Sequence, residues 1–155
     1  MRSIEQEVSL LRRIPLFAHI ETNKLKLLAF TSERLAYELG QDLCRQGDPG
    51  DAAYVIVEGE ADVLVATPQG EIKVAHLTRN AVVGEIAILC DMPRTATVRP
   101  TSDLEALRIK KEQFLKLIEE FPEIAVEMLR ELASRVATTT AELTEARNHI
   151  RRLGG

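Results

Sequence analysis

Six glycines, at positions 40, 47, 50, 59, 70 and 84, cut the middle of the chain into apolar stretches too short for helices. This spacing is the strongest constraint on the fold, because glycine tolerates the tight reversals that short strands require. Ala53-Tyr54-Val55-Ile56-Val57 reads as a buried strand, and Asp62 to Ala66, with Val63 and Val65 in alternation, reads as another. Pro68-Gln69-Gly70 supplies a turn into Ile72 to Leu77, so these two strands form a hairpin. Thr95 to Val98 and Leu104 to Ile109 are later strands. Many short strands at this spacing suggest a sandwich or a roll.

The periodicity changes at both ends. In residues 1–30, Ile4, Val8 and Leu11 recur at helical spacing until Pro15 interrupts them, and Thr22 caps a second short helix carrying Leu25, Leu28 and Ala29. Residues 31–109 hold the strands. From 110 to 155 the chain is helical again: Phe114, Leu117 and Ile118 mark one helix, which Phe121-Pro122 breaks, and Pro122 suits the first turn of the next. Ala125, Leu129, Leu132, Val136, Thr139, Leu143, Ala146, Ile150 and Leu153 then follow alternating steps of four and three, a heptad seam. Its start, near Ala125 and Leu129, reads as packed on the roll, and the part beyond Val136 as buried by a partner helix. The expectation is a single α+β domain over 1–155 that forms a homodimer through its last helix.

Composition removes several function classes. With 20 basic and 24 acidic residues the net charge is −4, which argues against a nucleic-acid surface. No apolar stretch is long enough to span a bilayer, and Met1 to Glu5 lacks the layout of a secretory signal. Cys44 and Cys90 read as reduced core thiols of a cytoplasmic protein. His19, His76 and His149 lie in different zones without metal-ligand spacing. There is no nucleophile elbow and no nucleotidase-type phosphate loop. Neither an enzyme nor a metal nor a resident cofactor is expected.

The segment from Val83 to Val98, VGEIAILCDMPRTATV, carries the chemistry. Gly84 follows an apolar strand, and Glu85 to Leu89 has room for one or two helical turns. The start of such a helix offers unpaired N–H groups to an anion. Arg94 adds a permanent charge on a planar fork suited to phosphate oxygens. Glu85 would repel a phosphate, but it suits a ligand that also brings a hydroxyl donor, such as a ribose 2′-OH. A plainer account makes Glu85 a favourable acid in a first helical turn and Arg94 its ion-pair partner.

Gly84-Glu85-Ile86-Ala87 followed by Pro93-Arg94-Thr95-Ala96-Thr97-Val98 resembles the phosphate-binding cassette, here 83–98, of the cyclic-nucleotide-binding domain family. Leu11 to Phe17, Gln46 to Asp51, Tyr54 to Ile56 and Glu58-Gly59 resemble other family segments in the same order, so the similarity runs from about 10 to 140. The resemblance implies an antiparallel, jelly-roll-like β-roll with N-terminal helices and a long C-terminal helix. It implies a cyclic nucleotide, cAMP or cGMP, as ligand. In it Glu85 holds the ribose hydroxyl and Arg94 the cyclic phosphate, with Gly84, Ile86, Ala87, Thr95 and Ala96 lining the same ligand. A hydroxyl at Thr95 also permits guanine.

Thr138-Thr139-Thr140 is unusual inside a long helix, since threonine is a modest helix former. Aligned from Pro122, this helix resembles the central helix of catabolite-activator-like regulators. That resemblance places Thr139 at the adenine amino group and Thr140 at the same base across a dimer, which favours cAMP. The bland alternative is that the threonines only soften the helix. No DNA-reading helix-turn-helix is legible, so neither DNA nor membrane is an expected partner. The expectation is a sensor that signals by moving its C-terminal helix to an unidentified effector, with a scaffold that has lost nucleotide binding as the alternative.

Overall fold

The computed structural model describes residues 3–154. The chain divides into two compact units with the boundary between Leu117 and Ile118. The first unit opens with α1 (Ile4–Arg12), whose Ser3 and Gln6 form a reciprocal capping box. A 3-10 turn at Pro15–Phe17 follows, then α2 (Thr22–Thr31). The cap expected from Thr22 is not made: Glu21 holds the cap position, and no side chain caps α2. Thr22 stands inside the first turn, where its hydroxyl accepts from Arg12 Nη2 at 2.8 Å and ties α2 to α1.

Among the described residues seven strands come next: β1 (Glu33–Tyr37), β2 (Ala52–Glu58), β3 (Ala61–Thr67), β4 (Gly70–Leu77), β5 (Val82–Val83), β6 (Thr97–Pro100) and β7 (Leu104–Lys110). They form two antiparallel sheets, ordered β1-β7-β2-β5 and β4-β3-β6. The α+β β-roll is thus the observed architecture. The β3–β4 hairpin turns at Thr67 to Gly70 as read from the sequence, with a bulge on β4 between Lys73 and Ala75. Leu43, Ala52, Tyr54, Ile56, Ala61, Val83, Val98, Leu104 and Ala106 form the core between the sheets. Six of the seven β2 residues are buried, which explains why that strand is apolar on both faces. Burying each large side chain of this core stabilises the roll by roughly 1.5–3 kcal/mol.

β6 begins at Thr97, not at Thr95, so Arg94 does not open a strand. The reason is visible in the backbone: Arg94 N–H donates to Asp48 O at 2.8 Å, and Arg94 O accepts from Gly47 N–H at 2.9 Å. Both of its main-chain groups are therefore spent on the 47–48 turn rather than on a sheet. Cys90 is a second correction, since it lies exposed at the end of a short helix; Cys44 is half-buried, and both thiols are free.

α4 (Lys111–Glu120) crosses the unit boundary. α5 (Pro122–Gly154) is one continuous helix of 33 residues with proline in its first turn. Its buried positions are Ile124 and Met128, whereas Leu129, expected to be covered, is 65% exposed. The buried pair has i,i+4 spacing and sits one residue before the predicted seam positions, so burial follows a stripe rotated from the seam. Val136, Leu143, Ile150 and Leu153 are exposed along α5. Among the described residues no helix is long and apolar enough to cross a membrane.

Candidate functional site

β5 is only two residues long, and its pairing with β2 (Tyr54 with Val83, Val55 with Val82) fixes where the cassette begins. Gly84 then takes φ +87°, a left-handed conformation that glycine adopts without strain, and α3 (Glu85–Leu89) starts at once. The first amides of α3 have no partners within their helix. Gly50 presses on α3 from the preceding loop: a Cβ there would stand 2.4 Å from Ala87 Cβ. Glu85 is only 5% exposed, and Ala87 and Ile88 are buried beside it. Ile86 is half-buried.

Among the described residues Arg94 is the other buried charge, also 5% exposed. Its Nη1 donates to Gly84 O at 3.2 Å, and its Nη2 donates to Ala52 O at 2.7 Å and to Asp51 Oδ1 at 3.4 Å. Its guanidinium also lies over the Tyr54 ring, 5.7 Å from the centroid. Asp51 is shared, because its other oxygen accepts from Arg108 Nη2 at 3.0 Å. Burial works against the Arg108 charge, yet the Tyr54 phenol and the Asp51 carboxylate beside it hold its pKa above the ordinary arginine value. Two guanidinium groups thus divide a single Asp51 carboxylate at this end of the roll. A buried cation with partial compensation favours the arrival of an anion.

The predicted residues fall into two groups. Gly84, Glu85, Ile86, Ala87 and Arg94 are brought together around the start of α3. Thr95 is exposed and Ala96 half-buried in the short link from Arg94 to β6. Thr139 and Thr140 lie on α5, in the second unit, and both are exposed. Sequence reasoning missed Asp51, Ala52, Tyr54 and Gly50 as supports of the arginine. The Gln46-Gly47-Asp48-Pro49-Gly50-Asp51 run contained the signal, since two glycines and an acid in a loop mark a close backbone approach. Ala52 acts through its carbonyl, for which no residue type is diagnostic.

The roll carries a second charged cluster outside the cassette. His76 Nδ1 lies 2.7 Å from Asp62 Oδ1, and its Nε2 lies 2.8 Å from Glu60 Oε1. These two carboxylates hold the His76 pKa above its usual value. Among the described residues no group of three or more His, Cys, Asp or Glu side chains is arranged to hold a metal ion.

Comparison with known proteins places the chain in a family. A family model described as the cyclic nucleotide-binding domain matches residues 34–121. The cAMP-dependent protein kinase regulatory subunit of Eremothecium gossypii is 36% identical over 108 residues, covering 70% of this chain and 23% of that protein. Its counterpart in Dictyostelium discoideum is 32% identical over 111 residues, covering 69% and 34%. The chain therefore spans only about a quarter to a third of the length of these relatives. Among solved structures, the Thermus thermophilus catabolite activator protein superposes with a TM-score of 0.73 at 28% identity, over 83% of this chain and 61% of that one. The sensor domain of the transcriptional regulator DNR from Pseudomonas aeruginosa shares the fold, with a TM-score of 0.78 at 22% identity over 92% and 96%.

Proposed function

The chain belongs to the cyclic nucleotide-binding domain family, and from that premise we propose that it is a non-catalytic cytoplasmic sensor that binds cAMP in preference to cGMP and reports occupancy through movement of α5. The observation that carries this reading is the seat of Arg94. Its hydrogen bonds use both N–H groups of Nη2 and one of Nη1, so Nε–H and the second Nη1 N–H are left for oxygens of a cyclic phosphate. Amides at the start of α3 add donors to the same anion, and Glu85 takes the ribose hydroxyl. By the resemblance of α5 to the catabolite-activator-like helix, Thr139 would meet the adenine amino group and Thr140 the same base across a dimer, and Thr95 leaves room for weaker cGMP binding. A ligand can shift α5 only by favouring one of its positions over another, so occupancy and helix position are one equilibrium.

The relatives named as kinase regulatory subunits support an effector protein as the partner, in the manner of a kinase. The exposed seam of α5 supports a homodimer. That seam also favours a second reading, a dimerisation scaffold of the same fold without nucleotide affinity.

Calorimetric titration with cAMP and cGMP separates the two. The sensor reading expects saturable binding, tighter for cAMP, and a loss of roughly 2–5 kcal/mol in Arg94→Ala, as for a truncated buried charge contact. Equal affinity in a folded Arg94→Ala protein overturns it, and absence of binding to either nucleotide leaves the scaffold.

A further inference from the structure

Arg94 meets three acceptors, and its guanidinium carbon also lies over a ring. Tyr54 is 6% exposed and sits in the middle of β2, paired on one side with Val83 and on the other with Arg108. Ala52, whose carbonyl accepts from Nη2 at 2.7 Å, is two residues earlier on the same strand. The guanidinium is thus held against β2 by the Ala52 carbonyl and by the Tyr54 ring, whose centroid lies 5.7 Å from Arg94 Cζ. The phenol of Tyr54 helps hold the Arg108 pKa above its ordinary value, and Arg108 is the second cation on Asp51.

We propose that Tyr54 is a positioning residue for the anion-binding guanidinium, and that its ring, not its hydroxyl, does the positioning. The chemistry favours a ring here. A polar side chain under Arg94 would accept one of its N–H groups and remove it from the ligand. An aromatic face attracts the cation through its quadrupole and uses none of them. It also sets the plane of the fork, which decides whether two N–H groups can meet two phosphate oxygens at once. This inference rests on Arg94 being the phosphate contact.

The test is a double-mutant cycle on the full chain, reading cAMP affinity by calorimetry. Tyr54→Leu is expected to weaken binding about thirtyfold, or ~2 kcal/mol at 1.4 kcal/mol per decade. Tyr54→Phe should recover most of that loss. In an Arg94→Ala background Tyr54→Leu should cost no further affinity, which a general packing defect would not reproduce. If Arg94→Ala loses affinity while Tyr54→Leu binds like the parent, or if the two losses simply add, the positioning role is overturned and the phosphate role of Arg94 stands. If Arg94→Ala itself binds normally, both fall.

Folding of the leucine variant need not limit the test. The chain has two tyrosines and no tryptophan. In a Tyr37→Phe background, saturation with cAMP should therefore perturb the near-ultraviolet absorption of Tyr54, and Arg94→Lys should abolish that perturbation. A spectrum unchanged by cAMP in a protein shown to bind it overturns the proposal.

Discussion

Gly84 and Arg94 occupy each other's space: a methyl group on Gly84 would stand 2.2 Å from Arg94 Nη1. Two different costs follow from any side chain there. The backbone at φ +87° becomes strained by roughly 1–2 kcal/mol, and the guanidinium must leave its seat. Gly84→Ala should therefore lower thermal stability modestly while reducing cAMP affinity at least tenfold. Melting and calorimetry on the same preparation check the split. Unchanged affinity would show that Arg94 does not need this seat.

Glu85 is buried at the start of α3. If its carboxylate receives the ribose hydroxyl, cAMP should bind the parent protein better than 2′-deoxy-cAMP, by the ~1.5–3 kcal/mol typical of a hydrogen bond to a charged group. Glu85→Ala should erase most of that preference. Equal discrimination by parent and variant would remove the ribose assignment.

The cluster on the β3–β4 hairpin makes a prediction about pH. His76 hydrogen-bonds Glu60 and Asp62, and its pKa is raised. Asp62 is held below the usual carboxylate range by His76 first and then by Lys73. The histidine's contribution is complete below its usual pKa near 6.5 and is lost as pH rises through the higher folded value. The aspartate's contribution is present above its usual pKa and is lost as pH falls through the depressed one. The hairpin should thus be tightest in mildly acidic solution. NMR titration of His76, with hydrogen exchange of β4 amides, reads both limbs, and Asp62→Asn should move the His76 pKa down.

Leu143 is 52% exposed in a helix where Val136 and Ile150 are also exposed. Burial of such a side chain by a second copy would contribute roughly 1.5–3 kcal/mol. Leu143→Asp should shift a dimer to monomer in sedimentation. A variant that stays dimeric would place the dimer elsewhere.

How much of this could be read beforehand depends on whether a feature is local. The β3–β4 turn, the helix restart at Pro122 and the short helix after Gly84 all follow from a few neighbouring residues, and all three are present. β1 was not singled out, because Glu33-Arg34-Leu35-Ala36-Tyr37 is exposed or half-buried throughout and has no clean alternation. Its place is set instead by pairing with β7 and by Arg34, which bonds Glu7 on α1 and Glu105 on β7. The late start of β6 was equally hidden, since the 47–48 turn that captures Arg94 is remote in sequence. Tyr54 read correctly as a buried strand residue, but nothing in a strand pattern says which cation lies on it.

Of the three acceptors that hold Arg94, two are main-chain oxygens, those of Gly84 and Ala52. No point mutation deletes a carbonyl, so this socket is inherited with the fold itself. A descendant could drift widely in its surrounding side chains and still keep the arginine seated. Conversely, one codon change at 94 would remove the guanidinium and leave the two carbonyls that seat it in place.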